Sequence, residues 1–167
     1  MGIRKRRIVA NYLKVKEGFE FLGTGFTSLN EKPSAKTTSK KYINDSSATQ
    51  AIASYEWSSE FNADQIVSDK AIEYIRNIGE MQLTGSDAES EYIIVDIDME
   101  ASTKGFRARK IKVAIQIDSF DDNDGELGVS GSFLGIGDVV LGTFDKETKI
   151  FTEGFTPKVV VEKTITK

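Results

Sequence analysis

Two-fold alternation dominates the chain. From position 51, Ala51, Ala53, Tyr55, Trp57 and Phe61 fall on one side of an extended backbone, with Ser54, Glu56, Ser58 and Glu60 on the other. This is the pattern of a half-buried strand. Residues 68–80 change to a helical period: Ala71, Ile72, Ile75 and Ile78 form one stripe, Ser68 stands where a cap is wanted, and Asp69 lies at the positive N-terminal end. Beyond the turn residues 83–87, strands are predicted over 92–99, 106–120, 127–134, 139–144 and 149–151. In the longest of these, Arg109, Ile111, Val113, Ile115 and Ile117 share one face and Lys110, Lys112, Ala114, Gln116 and Asp118 the other. At about 3.4 Å per residue it spans roughly 45 to 50 Å, more than a small core needs, so part of it is expected to pair in another subunit. Asp124-Gly125 predicts a tight hairpin into the next strand. The β-prone residues 158–165 follow Pro157 as an edge strand or as a tail that adds to a neighbour's sheet. One helix against many strands predicts a mainly β fold, sandwich-like or barrel-like, with a single flanking α-helix.

The first 50 residues read differently. An aromatic segment, residues 18–26, precedes a stretch over 30–50 rich in Lys, Ser, Thr and Asn around Pro33, with Tyr42-Ile43 its one apolar anchor. Such composition favours a solvated loop, and a loop this long inside a compact domain is a candidate interaction arm that orders against a partner. The length of 167 residues predicts a single domain over 1–167 with one core. Its appendages are an N-terminal arm over 1–16, the long polar loop over 30–50 and a C-terminal extension over 155–167.

Composition narrows the chemistry. The chain has no Cys and no His, which excludes disulfides, Cys/His zinc sites, thiol nucleophiles, Ser-His-Asp triads and an imidazole base. No cofactor or metal is expected. The net charge of -4 provides no cationic field to hold a nucleic acid by counterion release. After the basic start Arg4-Lys5-Arg6-Arg7, no apolar stretch of signal-peptide length follows, and Arg6 stands where a myristoylation signal wants Ser or Thr. The longest uncharged run, residues 127–137, is too short and too rich in Gly and Ser to cross a bilayer. The protein is therefore expected to be made in the cytosol, without a membrane partner.

The motifs that suggest chemistry do not complete. Gly135-Ile136-Gly137 lacks the third small residue of a dinucleotide fingerprint and leads into a strand, and Gly137 and Gly142 have phosphate-loop spacing followed by Thr143-Phe144 instead of Lys and Ser/Thr. With Gly125 at the sixth place of a calcium loop, the first and twelfth places fall on Phe120 and Gly131, so the acidic group Asp118, Asp121, Asp122, Asp124 and Glu126 reads as a solvated turn. Asp96 and Asp98 share a strand face at a spacing that suits paired-carboxylate chemistry. With Ile93, Val95, Ile97 and Met99 forming the opposite, core face, they read instead as outward charges that pair across strands with Lys110 or Lys112. No enzyme activity is predicted.

Several pieces together resemble a known family: Lys41-Tyr42-Ile43-Asn44; the run from Ser54-Tyr55-Glu56-Trp57 through Phe61-Asn62-Ala63-Asp64; Thr84-Gly85-Ser86-Asp87-Ala88-Glu89; Lys112-Val113-Ala114-Ile115; Gly131-Ser132-Phe133-Leu134-Gly135-Ile136-Gly137-Asp138; and Gly142-Thr143-Phe144-Asp145. In order and spacing, over about two thirds of the chain, they look like the major tail protein, or tail tube subunit, of bacteriophages of Gram-positive bacteria or of phage-tail-like particles. The resemblance implies a virion tail component assembled in the host cytoplasm. Its subunits would form hexameric rings whose inner strands join into a ring-wide barrel, and the rings would stack around a lumen through which DNA passes without specific binding. Implied partners are further copies of the chain and sheath, tape-measure and tail-tip or terminator proteins. Lys41, Tyr42, Ile43 and Asn44 are then candidate assembly-loop residues, and Lys110, Lys112, Gln116, Ser130 and Ser132 candidates for the lumen or the ring interface. A DNA-free bacteriocin-like tube is a variant of this reading. The competing class is a stand-alone β-sandwich binding module, for instance for carbohydrate, which needs an exposed aromatic platform; Tyr55 and Trp57, alternating on the face expected to be buried, argue against it.

Overall fold

Ten strands and one helix follow in order in the computed structural model, which describes residues 2–159. They are β1 (Val9–Val15), β2 (Gly18–Phe21), β3 (Phe26–Lys32), β4 (Ala35–Lys40), β5 (Thr49–Tyr55), β6 (Ser58–Asp64), α1 (Lys70–Glu80), β7 (Glu89–Glu100), β8 (Phe106–Asn123), β9 (Glu126–Asp145) and β10 (Ile150–Glu153). The chain divides into two compact units, one from the described parts of 1–23, 91–112 and 137–167, the other from 24–90 and 113–136. The two longest strands, β8 and β9, contribute to both.

In the first unit β7 is flanked by β1, and β2 pairs on the far side of β1, so β2 is the edge. Tyr92, Ile93, Ile94, Val95 and Asp96 are all buried, which marks a strand covered on both faces. On one face Ile93 and Val95, opposite Tyr12 and Ala10, form a cluster with Ala108 and Phe144. The Tyr12 and Phe144 rings meet at 4.6 Å, and Phe19 stands edge-on to Phe144. Burial also pushes the Tyr12 phenol up from its ordinary value.

In the second unit β6 lies between β3 and β9, with β3 at the edge. Phe61, Ala63, Val129 and Phe133 face the core together with Val113 and Ile115, and Phe61 stacks on Phe133 at 4.8 Å. The apolar stripe of α1, Ala71, Ile72, Ile75 and Ile78, is fully buried, each isoleucine worth about 1.5–3 kcal/mol of burial. Glycine at 79 allows the helix to close on β8, since a Cβ there would lie 2.7 Å from the Phe120 ring. The helix cap is Asp69, whose carboxylate accepts from the Ile72 N–H at 3.0 Å, and not Ser68, whose φ is 73°. Asp69→Ala is expected to cost about 1 kcal/mol, seen as a lower urea midpoint with an unchanged slope.

The structure revises several boundaries. The strand expected to begin at position 51 is two strands: β6 alternates as predicted, but every residue of β5 is exposed, Tyr55 at 60%. The stretch 30–50, expected as a loop, holds the end of β3, all of β4 and the start of β5, and β4 and β5 pair with each other as a separate two-stranded sheet. Within the expected N-terminal arm over 1–16, β1 is a core strand. The separate strands expected over 127–134 and 139–144 are one strand, β9. The face of residues 109–117 that is apolar after Arg109 is buried at Ile111, Val113 and Ile115 as expected, while the first unit also buries Ala108 on the opposite parity. Most of the β-prone C-terminal stretch 158–165 lies outside the described residues. Before it, Pro157 bridges Ala101, and the Lys158 N–H donates to the Glu100 carbonyl at 3.0 Å.

Candidate functional site

Three surfaces carry the candidate residues, and each follows from strand parity. The first is the face of the second unit turned away from its core. Directly opposed residues share a face, so the registers β3 to β6 to β9 give the rows Ser28, Asn62, Ser130; then Asn30, Glu60, Ser132; then Lys32, Ser58, Leu134. Hydroxyl, amide and carboxylate groups dominate. Asn62 Nδ2 donates to Ser28 Oγ at 3.0 Å, the Ser119 and Ser130 hydroxyls bond at 2.8 Å, and Lys32 Nζ meets Glu60 Oε1 at 2.6 Å. Glycine at 131 allows β8 to approach, because a Cβ there would lie 2.0 Å from the Gln116 carbonyl oxygen.

The lumen or interface candidates divide between the units. Gln116, exposed and donating to Asp118 at 2.8 Å, belongs with half-buried Ser130 and Ser132 to the second unit. Lys110 and Lys112 belong to the first, where the Lys110 ammonium lies 4.9 Å from the Phe151 ring centre.

The second surface is the β4–β5 hairpin. It is inserted between β3 and β6, whose last and first residues, Lys32 and Ser58, are themselves paired. All of β4 and β5 is exposed. Lys41, Tyr42, Ile43 and Asn44 form its turn, closed by the Asp45 N–H on the Tyr42 carbonyl at 3.1 Å. Ile43 is fully exposed, and Lys40 lies over the Tyr42 ring at 4.7 Å. Exposed Tyr55 corrects the expectation that it faces the core with Trp57; Trp57 is half-buried and donates its indole N–H to Glu31 at 2.8 Å. Tyr55 and Tyr42 stand at opposite ends of the hairpin, about 20 Å apart along the strands, so they make no common platform for a sugar ring.

The third was not foreseen from sequence. Asp96 does not pair outward with Lys110 or Lys112; it is buried, and its two oxygens accept from Arg4 Nη2 at 2.6 Å and Arg107 Nη1 at 2.5 Å. Arg4 also reaches Asp98 at 3.1 Å, while Arg6 donates to Asn11, whose amide donates to the Tyr92 hydroxyl at 2.6 Å. The signal was present: an arginine cluster ahead of β1, and a strand without alternation at Asp96. The Arg4 hydrogen bond holds the Asp98 carboxyl below the usual range. A carboxyl depressed in the fold stabilises above its unfolded value and loses that contribution as pH falls through the folded one. The stability gap between wild type and Arg4→Ala is thus expected to be widest at neutral pH and to narrow below about pH 4, measured by urea unfolding across pH. A gap independent of pH would exclude Asp98 as its source.

A cleft in the first unit is lined by Lys104, Lys146, Asp145, Glu147, Glu100 and Lys158; Lys104 meets Glu147 at 2.6 Å and Asp145 at 3.5 Å, Lys158 meets Glu100 at 2.8 Å, and the Lys146 ammonium lies 5.0 Å from the Phe106 ring centre. Among the described residues no group of three or more carboxylates is placed to hold a metal ion, and no helix is long and apolar enough to cross a membrane.

No family model and no curated protein matches the sequence. Solved structures do share the fold. One is from the tail of an empty GTA particle with C6 symmetry, at a TM-score of 0.61 and 14% identity over 82% of this chain and 97% of that chain. Another is from the virion of a native gene transfer agent (GTA) particle, at 0.60 and 13% over 83% and 98%. The expected class stands: a mainly β, sandwich-like fold with one helix, of the kind found in phage-like tails.

Proposed function

We propose that the chain is the structural subunit of a phage-like tail tube, forming hexameric rings that stack around a lumen conducting DNA during ejection. The observation that carries this reading is the fold shared over most of the chain with the C6-symmetric GTA tail. The chain supports it physically. Edge strands β2 and β3 carry unpaired backbone groups that a closed ring of subunits removes. The polar face of the second unit suits a lumen wall: its hydroxyl and amide rows contain one cation, Lys32, already matched by Glu60, so phosphates find little to displace counterions and DNA slides without being gripped. Ser130, Ser132 and Gln116 are the lumen candidates in this arrangement. Lys110, whose ammonium lies 4.9 Å from the Phe151 ring centre, and Lys112 are the lumen or ring-interface candidates of the first unit. Lys41, Tyr42, Ile43 and Asn44 form the tip of an assembly arm. Residues 1–167 act as one tail tube domain, built in the host cytoplasm, with sheath, tape-measure and tail-tip or terminator proteins as further partners. The role is structural and not catalytic.

Negative-stain electron microscopy of the purified protein across a concentration series, with mass determination, tests this. Six-fold rings or tubes are expected. A strict monomer at every concentration, persisting when tail-tip initiator complex is added, would overturn the reading.

A further inference from the structure

Charge is distributed unevenly along the chain. In residues 35–55, Lys36, Lys40 and Lys41 against Asp45 leave the hairpin at net +2; in residues 118–127, Asp118, Asp121, Asp122, Asp124 and Glu126 stand without any cation, at net -5. The remaining residues together account for only -1 of the chain's -4. Each segment also exposes large apolar side chains: Tyr42, Ile43, Ile52 and Tyr55 on the hairpin, Phe120 and Leu127 beside the acidic turn. A two-stranded hairpin with both faces in water is marginal by itself, and here neither strand buries a residue. Lys36 is partly engaged at the base by Glu56 at 3.1 Å, which leaves Lys40 and Lys41 as the cations beside the apolar tip.

We infer that the β4–β5 hairpin docks on the acidic β8–β9 turn of a second copy of this chain, with Lys40 and Lys41 against Asp121, Asp124 and Glu126, and Ile43 and Tyr42 against Phe120 and Leu127. The occupant is a second copy because this chain itself carries the complementary surface, opposite in charge and matched in apolar character. Two different patches meeting in this way make a heterologous contact, which repeats from copy to copy and so closes rings or extends stacks. Opposite potentials select the register and disfavour hairpin-to-hairpin or turn-to-turn pairing. The inference rests on the tube reading and adds to it which surfaces meet.

The test combines charge reversal with cross-linking. Lys40→Glu/Lys41→Glu and Asp121→Lys/Glu126→Lys should each reduce pelleted assemblies by about tenfold or more, because like charges now face each other. Mixing the two variants should restore assembly. Unchanged circular dichroism melts establish that both variants fold, all four positions being exposed. Zero-length carbodiimide cross-linking of mixed isotope-labelled and unlabelled wild type should join Lys40 or Lys41 to Asp121, Asp124 or Glu126 in heavy–light pairs. Wild-type tubes whose cross-links join other surfaces, cross-links only within one copy, or variants that assemble like wild type would overturn this inference and leave the tube reading standing. A wild type that neither assembles nor cross-links between copies, even with tail-tip initiator complex added, would overturn both.

Discussion

Replacing residues 35–55 with an Asn-Gly turn is expected to abolish assembly while leaving the monomer fold unchanged. The hairpin is an insertion into a simpler one: Lys32 at the end of β3 already pairs with Ser58 at the start of β6, and the Glu56 N–H donates to the Ser34 carbonyl at 3.0 Å across the base of the arm. A short turn after Ser34 therefore spans a gap that the backbone has nearly closed, and Asn-Gly supplies the positive φ values a two-residue connection needs. Nothing in the core is lost, because β4 and β5 bury no side chain, and the shortened chain should melt within about 0.5 kcal/mol of wild type. What is lost is the large apolar surface of Tyr42, Ile43, Ile52 and Tyr55, which has no role in the isolated subunit. Sedimentation and negative stain should find only small species at concentrations where the full chain forms tubes. Tubes built by the shortened chain would show the arm to be dispensable and would sink both the docking inference and the arm's assembly role.

The parts of the fold that were legible in sequence are those where one face is buried and one is wet. Phe61 and Ala63 alternate with Glu60 and Asn62 in β6, and the Ala71, Ile72, Ile75, Ile78 stripe is unmistakable in α1; both lie where expected. Alternation fails as a guide where both faces are covered. Between Tyr92 and Asp96 every position is buried, so the assumption that Asp96 must point outward because Val95 points inward had no basis. The hairpin was missed for the opposite reason: β4 has no apolar period and its Lys, Thr and Ser content reads as loop, while the alternation of Ala51, Ala53 and Tyr55 in β5 was read as a half-buried face that the structure leaves exposed. In β9, Gly135 and Gly137 suggested a break, but the strand continues through them, with the Gly135 N–H still bonded to the Trp57 carbonyl at 2.8 Å. The candidate assembly residues Lys41, Tyr42, Ile43 and Asn44 at the hairpin tip came from the family resemblance and not from any local chemistry.

Asp96→Ala is expected to be the most destabilising single polar substitution in the first unit, by about 2–3 kcal/mol. Its carboxylate is 2% exposed and divides its two oxygens between guanidinium groups from distant parts of the chain, Arg4 ahead of β1 and Arg107 on β8. Truncation leaves both arginines without this acceptor. Their side chains are 52% and 31% exposed, so water recovers part of the loss and the cost falls below the 3–5 kcal/mol typical of a fully buried pair broken on one side. Asp98→Ala is the control: Asp98 sits on the same strand face, touches the same Arg4, and is 39% exposed at its side chain, so solvent screens the pair and its loss is expected to be much the smaller of the two. Asp96→Asn tests whether charge or shape dominates, because the amide retains one acceptor oxygen but turns two N–H donors toward a guanidinium that also only donates; it should recover little. Urea unfolding of the four proteins at pH 7 measures the order wild type, Asp98→Ala, Asp96→Asn, Asp96→Ala. Equal losses at 96 and 98 would mean that burial of Asp96 adds nothing, and that residues ahead of β1 are held by surface pairing alone. The predicted order means instead that one buried carboxylate, shared by Arg4 and Arg107, fixes where the residues ahead of β1 lie on the first unit.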